Sequence, residues 1–402
     1  MHVLFVHPAY PAQFGHVARA LSRTRGWTCS FVAQTFAGEA GGIRAIPYRL
    51  AGTARETTHY ACRSFENTIW HAQGIHDACK AERDLRPDLI VGHSGLGSTL
   101  FLPELYPGVP IVNYFEFYYQ PRGSDIDFRP EYPPQEIDRL RARARNASIL
   151  LDLVGCRAGY SPTHYQRGLF PEDFRHKIAV HFDGIDTGLW RRRPDVPRRV
   201  GERMIPASTR VVTYVSRGFE SMRGFDLFMR AAKRIGREVP DVLFLVVGSD
   251  KVHYGGDLRF IREPSFRAHV LAGDDYDLSQ FLFTGTVPAE TLADLLSVSD
   301  LHIYLTVPFV LSWSLLNALA CGCTVLASDT EPVREVIAEG ETGLLVDFFD
   351  VEGLADRATQ VLRDPAAFRP LGERGTRLIR ERYALDATLP PLIDYLENAW
   401  RG

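Results

Sequence analysis

Two arginines and a serine-led apolar segment are the parts of this chain best suited to gripping an anion. Arg217 follows the apolar run Arg210–Val215 (RVVTYV), and Arg223 stands where the next helical pattern begins. Further on, Leu311–Gly322 reads LSWSLLNALACG, after a strand-like run at Asp300–Leu305 and a turn at Pro308. Ser312 and Ser314 are residue types that cap helix N-termini. The unpaired amides of such a first turn, with the helix dipole behind them, form a seat for a diphosphate. Two cations facing that seat would neutralise a departing diphosphate. A buried core helix and two exposed arginines give the same pattern, so spacing alone leaves both readings open. In the first half, Asn113–Phe128 (NYFEFYYQPRGSDIDF) combines aromatic rings with carboxylates. Tyr118 and Tyr119 could stack on sugar C–H faces. Glu116, Asp125 and Asp127 could accept from hydroxyls, with Glu116 a base or an acceptor anchor. An aromatic loop packed on the domain surface is the plainer alternative.

The elements that would position these residues alternate regularly. His2–Val6, Cys29–Ala33, Asp88–Val91 and Val109–Val112 read as buried strands. Gln13–Arg23 has helical periodicity, and Ala147–Leu153 begins another helix. This alternation predicts a parallel, doubly wound sheet, which binds ligands beyond the carboxyl ends of its strands. Gly184–Arg199 interrupts the pattern with glycine, proline and clustered arginine, and reads as a hinge. A second series follows, with strands at Arg210–Val215, Val242–Val247, Phe281–Thr284, Asp300–Leu305, Thr324–Ala327 and Gly343–Val346. Helices are predicted between them at Phe225–Ile235, Ala289–Ser297 and Ser312–Ala320. The expected division is therefore 1–190, 191–384, and a C-terminal helix over 385–402 that packs back toward the first domain. A chain of 402 residues suits two such domains.

Composition narrows the chemistry. A formal net charge of -3 argues against a nucleic-acid partner. The six cysteines include no CxxC pair, and Cys321 and Cys323 have no nearby histidine or cysteine partners, which argues against zinc. They read as reduced thiols of a cytoplasmic protein. No DxD motif at a strand end suggests a divalent-ion site. The opening MHVLFVHP runs straight into a strand pattern without a basic leader, and no apolar run reaches the roughly 20 residues of a spanning helix. Peripheral membrane contact and oligomeric state stay open.

The second half resembles the family-4 retaining glycosyltransferases. The resemblance is carried by YVSRGFESMRGFDLFMRA (Tyr214–Ala231), LFLVVGSD (Leu243–Asp250), Phe283–Gly322 and VLASDTEPVREVIAEGETGLLVD (Val325–Asp347). The first half is similar through FVHPAYPAQFGHVARAL and the phrase GIDT at Gly184–Thr187. The resemblance implies the GT-B fold, an α/β arrangement of two Rossmann-like doubly wound parallel-sheet domains facing a central cleft. It implies a metal-independent, retaining hexosyltransferase-like enzyme of glycan or natural-product biosynthesis. The implied donor is a nucleotide-sugar, a UDP- or GDP-sugar, and the acceptor a glycan or small molecule attacked through a hydroxyl or thiol. Arg217 and Arg223 are implied as the pair that binds the diphosphate. Leu311, Ser312, Trp313 and Ser314 form the implied loop at the distal phosphate and sugar. Gly285–Val287 is implied at the nucleobase, and Gly15 as the first-loop glycine near the donor. His93 is implied to reach the transferred sugar; a lone histidine is equally a structural one. One departure stands out. Relatives carry two glutamates where this chain has Phe309 and Asn317, so grip on sugar and ribose is expected to differ.

Rival classes remain in view. A pyridoxal-phosphate-dependent phosphorylase needs a Schiff-base lysine, and the second half offers only Lys233 and Lys251. A nucleotide-sugar epimerase would convert the donor without an acceptor. A nucleotide-sugar binder without transferase activity would explain the missing glutamates.

Overall fold

The computed structural model describes residues 1–36 and 41–402. The chain divides into two compact units. The first is Met1–Arg122, Pro134–Gly184 and Leu385–Gly402, and the second is Gly123–Pro133 and Ile185–Ala384.

The first unit is built on a seven-stranded sheet. Its strands are β1 (His2–Val6), β2 (Thr28–Ala33), β3 (Arg44–Pro47), β4 (Leu89–His93), β5 (Ile111–Tyr114), β6 (Ala158–Ser161) and β7 (Ile178–Val180). They lie in the order β3-β2-β1-β4-β5-β6-β7, and every pairing is parallel. β1 shows why its sequence is a continuous apolar run. Val3 and Phe5 join one core cluster, while Leu4 and Val6 join another. Both faces of the strand are covered, so both sets of alternating side chains must be apolar. Helices α1 (Gly15–Thr24), α2 (Arg63–Ala81) and α3 (Glu136–Gly155) flank the sheet.

Helix α3 begins well before the predicted start at Ala147. A reciprocal cap between Gln135 and Asp138 opens it, and the arginine-rich stretch that follows hides its apolar face. β4 and β5 run two residues further toward their carboxyl ends than predicted, which makes His93 and Tyr114 their last residues. The buried positions of α2 are Thr68, Ala72, Ile75 and Cys79, too small and polar to announce a helix by periodicity.

The second unit repeats the plan with β8 (Arg210–Gly218), β9 (Val242–Ser249), β10 (Phe281–Gly285), β11 (Leu301–Tyr304), β12 (Val325–Ser328) and β13 (Leu344–Val346). Their order is β10-β9-β8-β11-β12-β13, again parallel throughout. α4 (Phe225–Glu238) buries Phe225, Phe228, Met229, Ala232 and Ile235, and α5 (Trp313–Ala320) follows a cap at Ser312. Strands β8 and β11 are neighbours, so the loops leaving their carboxyl ends meet.

The C-terminal helix α6 (Leu385–Arg401) belongs to the first unit. Leu392, Ile393 and Leu396 share a core with Val17, Ala18 and Leu21 of α1, and the Tyr395 hydroxyl donates to the Gly159 carbonyl at 2.6 Å. Gly184 has φ +91°, and a Cβ there would lie 2.6 Å from Leu385 Cδ2, so only glycine fits. The predicted hinge after it is tied down within the second unit. Ile185 bridges to Ala384, and Arg193 pairs with Asp294 at 2.6 Å. Gly123–Pro133 differs from the predicted domain boundary: its contacts place it in the second unit, although the sequence on both sides belongs to the first.

Candidate active site

The second unit brings four of the predicted residues together. Arg223 ends a short turn, Ser221–Arg223, just before α4. It is 8% exposed, yet it faces no carboxylate within ion-pairing distance among the described residues. Its guanidinium donates to Thr306 Oγ1 at 2.7 Å, the Val310 carbonyl at 3.2 Å and the Tyr304 hydroxyl at 3.4 Å. It also lies 5.7 Å from the ring of Tyr254 and 5.8 Å from that of Phe309. An arginine held this way keeps its full positive charge for a ligand. Arg217, at the carboxyl end of β8, is exposed and donates to the Tyr254 hydroxyl at 3.4 Å.

Tyr304 links this pair to α5. Its hydroxyl accepts from Arg223 and also from the Ser312 amide at 3.0 Å. Ser312 caps α5 by accepting from the Ser314 amide at 3.3 Å, and both serines are part-exposed. The chain Arg217–Tyr254–Arg223–Tyr304–Ser312 is therefore continuous. Trp313 is 43% exposed beside it, while Leu311 is buried. Asn317 is 8% exposed and its Oδ1 has no hydrogen-bond partner. Phe309 is not chemically idle, as its type suggests: its ring faces Tyr254 at 5.2 Å and lies within cation–π distance of Arg223.

The remaining donor candidates take no part in these hydrogen bonds and ring contacts. Gly285 ends β10 with φ +69°, a conformation that favours glycine, and Val287 packs on the second unit's core. Gly15 begins α1, where an added Cβ would sit 2.3 Å from Pro11 Cβ. Its requirement for glycine is met by local packing alone.

The first unit gathers a different group at the carboxyl edge of β1, β4 and β5. His93 is buried, with Nδ1 donating to the Ser94 carbonyl at 2.9 Å and Nε2 facing Glu116 Oε2 at 3.6 Å. Burial opposes a charge on this imidazole, but Glu116 and the Ser94 carbonyl outweigh it and raise its pKa. His7 stands edge-on to it, ring centroids 5.4 Å apart. Burial and the His93 charge lower the His7 pKa to about 3. His7 Nδ1 sits against the Ala9 backbone, 2.8 Å from its carbonyl and 2.9 Å from its amide. Gln13 donates to Glu116 Oε1 at 3.4 Å. The result is one histidine that holds its proton more tightly than usual beside one that holds it much less tightly.

Tyr118 and Tyr119 do not join that group. Both pack on the first unit's core, and Tyr119 is clamped by α3: Arg145 lies 3.7 Å over its ring, and its backbone exchanges hydrogen bonds with Asn146. Asp127 accepts from the amides of Gly123 and Ser124 and shapes a turn. Sequence reasoning missed His7, Tyr254 and Tyr304. The end-of-strand position of His7 and Tyr304 was available as a signal; the role of Tyr254, on a loop after β9, had none. Among the described residues no group of three or more His, Cys, Asp or Glu gathers as metal ligands, and no helix is long and apolar enough to cross a membrane.

Two parallel sheets of this order, each followed by residues gathered at its carboxyl edge, define a GT-B glycosyltransferase fold. Comparison with solved structures agrees. Sucrose-phosphate synthase from Thermosynechococcus elongatus matches with a TM-score of 0.76 at 16% identity, covering 100% of this chain and 99% of that one. HepE of Anabaena, solved in complex with UDP-glucose, matches with a TM-score of 0.67 at 14% identity, covering 99% of this chain and 100% of that one. The family model for the glycosyl transferase family 4 group matches residues 25–189, and that for glycosyl transferases group 1 matches residues 201–378. The chain belongs to this glycosyltransferase family. Among curated proteins, N-acetyl-alpha-D-glucosaminyl L-malate synthase of Bacillus anthracis is 28% identical over 206 residues, 51% of this chain and 50% of that protein. The chain thus spans about half the length of the curated relatives it matches first.

Proposed function

We propose that the protein is a retaining, metal-independent glycosyltransferase of glycan or natural-product biosynthesis. It moves a sugar from a nucleoside-diphosphate sugar to a hydroxyl or thiol. The observation that carries this reading is the continuous set Arg217–Tyr254–Arg223–Tyr304–Ser312 at the carboxyl edge of the second sheet. Two guanidinium groups without carboxylate partners and the N-terminus of α5 are suited to a diphosphate whose charge grows as it leaves. They supply that stabilisation from fixed side chains, so the reading needs no divalent ion. HepE's complex with UDP-glucose supports a UDP-sugar as the first donor to test, with a GDP-sugar next.

His93 fits a different role. An imidazolium beside Glu116 would donate to a sugar hydroxyl rather than remove the acceptor's proton. Retention, with the leaving phosphate taking that proton, is the course the family resemblance implies and is consistent with this assignment. Six free cysteines suit a reducing, cytoplasmic setting.

A thermal-shift screen with UDP, GDP, ADP and TDP tests the donor. One nucleotide is expected to raise the melting temperature in proportion to saturation. The matching sugar donor, offered with an acceptor panel, is expected to give a product whose anomeric configuration, read by NMR, equals that of the donor. An inverted product would exclude retention. Binding without transfer to any acceptor would favour the non-catalytic reading that Phe309 and Asn317 motivate.

A further inference from the structure

The geometry points to Arg129 as a positioning residue for the donor diphosphate, braced against the turn that carries Arg223. This rests on the reading of that turn as the diphosphate grip. Arg129 lies in Gly123–Pro133, the segment that leaves the first unit's sequence to join the second unit. It is 3% exposed. Its Nη1 donates to the Ser221 carbonyl at 2.7 Å, and its guanidinium pairs with both carboxylate oxygens of Asp226, at 2.7 and 3.2 Å. Nε reaches Glu131 at 3.2 Å. The rings of Tyr132 and Phe348 lie 5.3 and 5.4 Å from it.

Those contacts bracket Arg223. Ser221 opens its turn, and Asp226 sits in the first turn of α4 just after it. Arg129 therefore holds a backbone carbonyl before Arg223 and a side-chain carboxylate after it. The turn is completed elsewhere: the Ser221 amide donates to Asp257 at 3.0 Å, and the Tyr214 hydroxyl donates to the Arg223 carbonyl at 2.7 Å. Phe128 anchors the segment independently, stacked on Phe349 at 5.2 Å and edge-on to Phe348 at 5.4 Å. A buried ion pair alone adds little to stability. Here the planar fork spends one arm on a turn carbonyl, which sets the direction from which Arg223 leaves the backbone.

The test uses the full chain and compares UDP with uridine, and GDP with guanosine, by calorimetry. Arg129→Met is expected to weaken the nucleoside diphosphate by about tenfold or more while leaving nucleoside binding unchanged, because only the phosphate grip is displaced. The donor KM should rise far more than kcat falls, and Arg129→Lys should recover part of the loss. If the Met variant does not fold, Asp226→Asn should show the same selective loss at smaller size. Unchanged diphosphate binding in a folded variant overturns the inference, as does equal loss of diphosphate and nucleoside, which marks a structural role. If the wild-type protein itself fails to prefer diphosphate over nucleoside, the donor-site reading falls first.

Discussion

A histidine buried against a carboxylate behaves differently from a part-buried one that no carboxylate pairs with directly, and this protein holds both kinds side by side. Glu116 keeps His93 protonated above its ordinary range, while His7, without a carboxylate of its own, stays neutral. The sign follows directly. A raised pKa means that His93 keeps its proton to higher pH than an ordinary imidazole and loses it as pH rises through the raised value. In Glu116→Gln burial is opposed only by the Ser94 carbonyl and Asp183, so the alkaline fall of kcat/KM should move to lower pH. A pH–rate profile of the two proteins checks it, and superimposable alkaline limbs would detach His93 from the reaction. Arg217 belongs to the same scale. Being exposed, it can be truncated with little cost to the fold, and Arg217→Ala should abolish the nucleotide-induced thermal shift while leaving the unliganded melting temperature nearly unchanged. Residue types and spacing pointed to Arg217, Arg223 and Ser312, and the family resemblance to His93. The strand-end position of Tyr304 was a weak signal, because a tyrosine there also reads as core until its hydroxyl is seen to accept from both an arginine and the Ser312 amide.

Elements decide how those residues face each other. The loop Lys251–Asp257 is held by Glu220, which accepts from the amides of His253 at 2.6 Å and Tyr254 at 3.0 Å. Burial raises the Glu220 carboxyl to about 7, against those two donors, which lower it. The folded state therefore holds this proton more tightly than the unfolded chain does. Its contribution is present at acid pH and is lost as pH rises through about 7. The melting temperature should fall between about pH 5 and pH 8, and Glu220→Gln, a neutral isostere, should flatten that fall. Parallel slopes for the two proteins would contradict it. The strands were legible because both-face burial writes itself as unbroken apolar runs such as VLFLVVG in β9. α2 was not, since its buried face is Thr68, Ala72, Ile75 and Cys79.

At the scale of the whole molecule, two parallel sheets of matching order and the α6 return to the first unit were signalled by repeated strand–helix alternation and a final amphipathic stretch. The excursion of Gly123–Pro133 was not, because a segment's sequence position says nothing about which core receives Phe128 and Arg129. Membership of the glycosyltransferase family fixes the class of machine. The proposed donor reading asks of this chain that a pyrophosphate be captured by Arg223 and its neighbours. Calorimetric titration of UDP or GDP, whichever the wild-type protein binds, into Arg223→Met addresses that most directly. Losing a charge-assisted contact of about 1.5–3 kcal/mol should weaken binding by roughly tenfold to a hundredfold. Affinity equal to wild type in a correctly folded Arg223→Met protein would contradict the account.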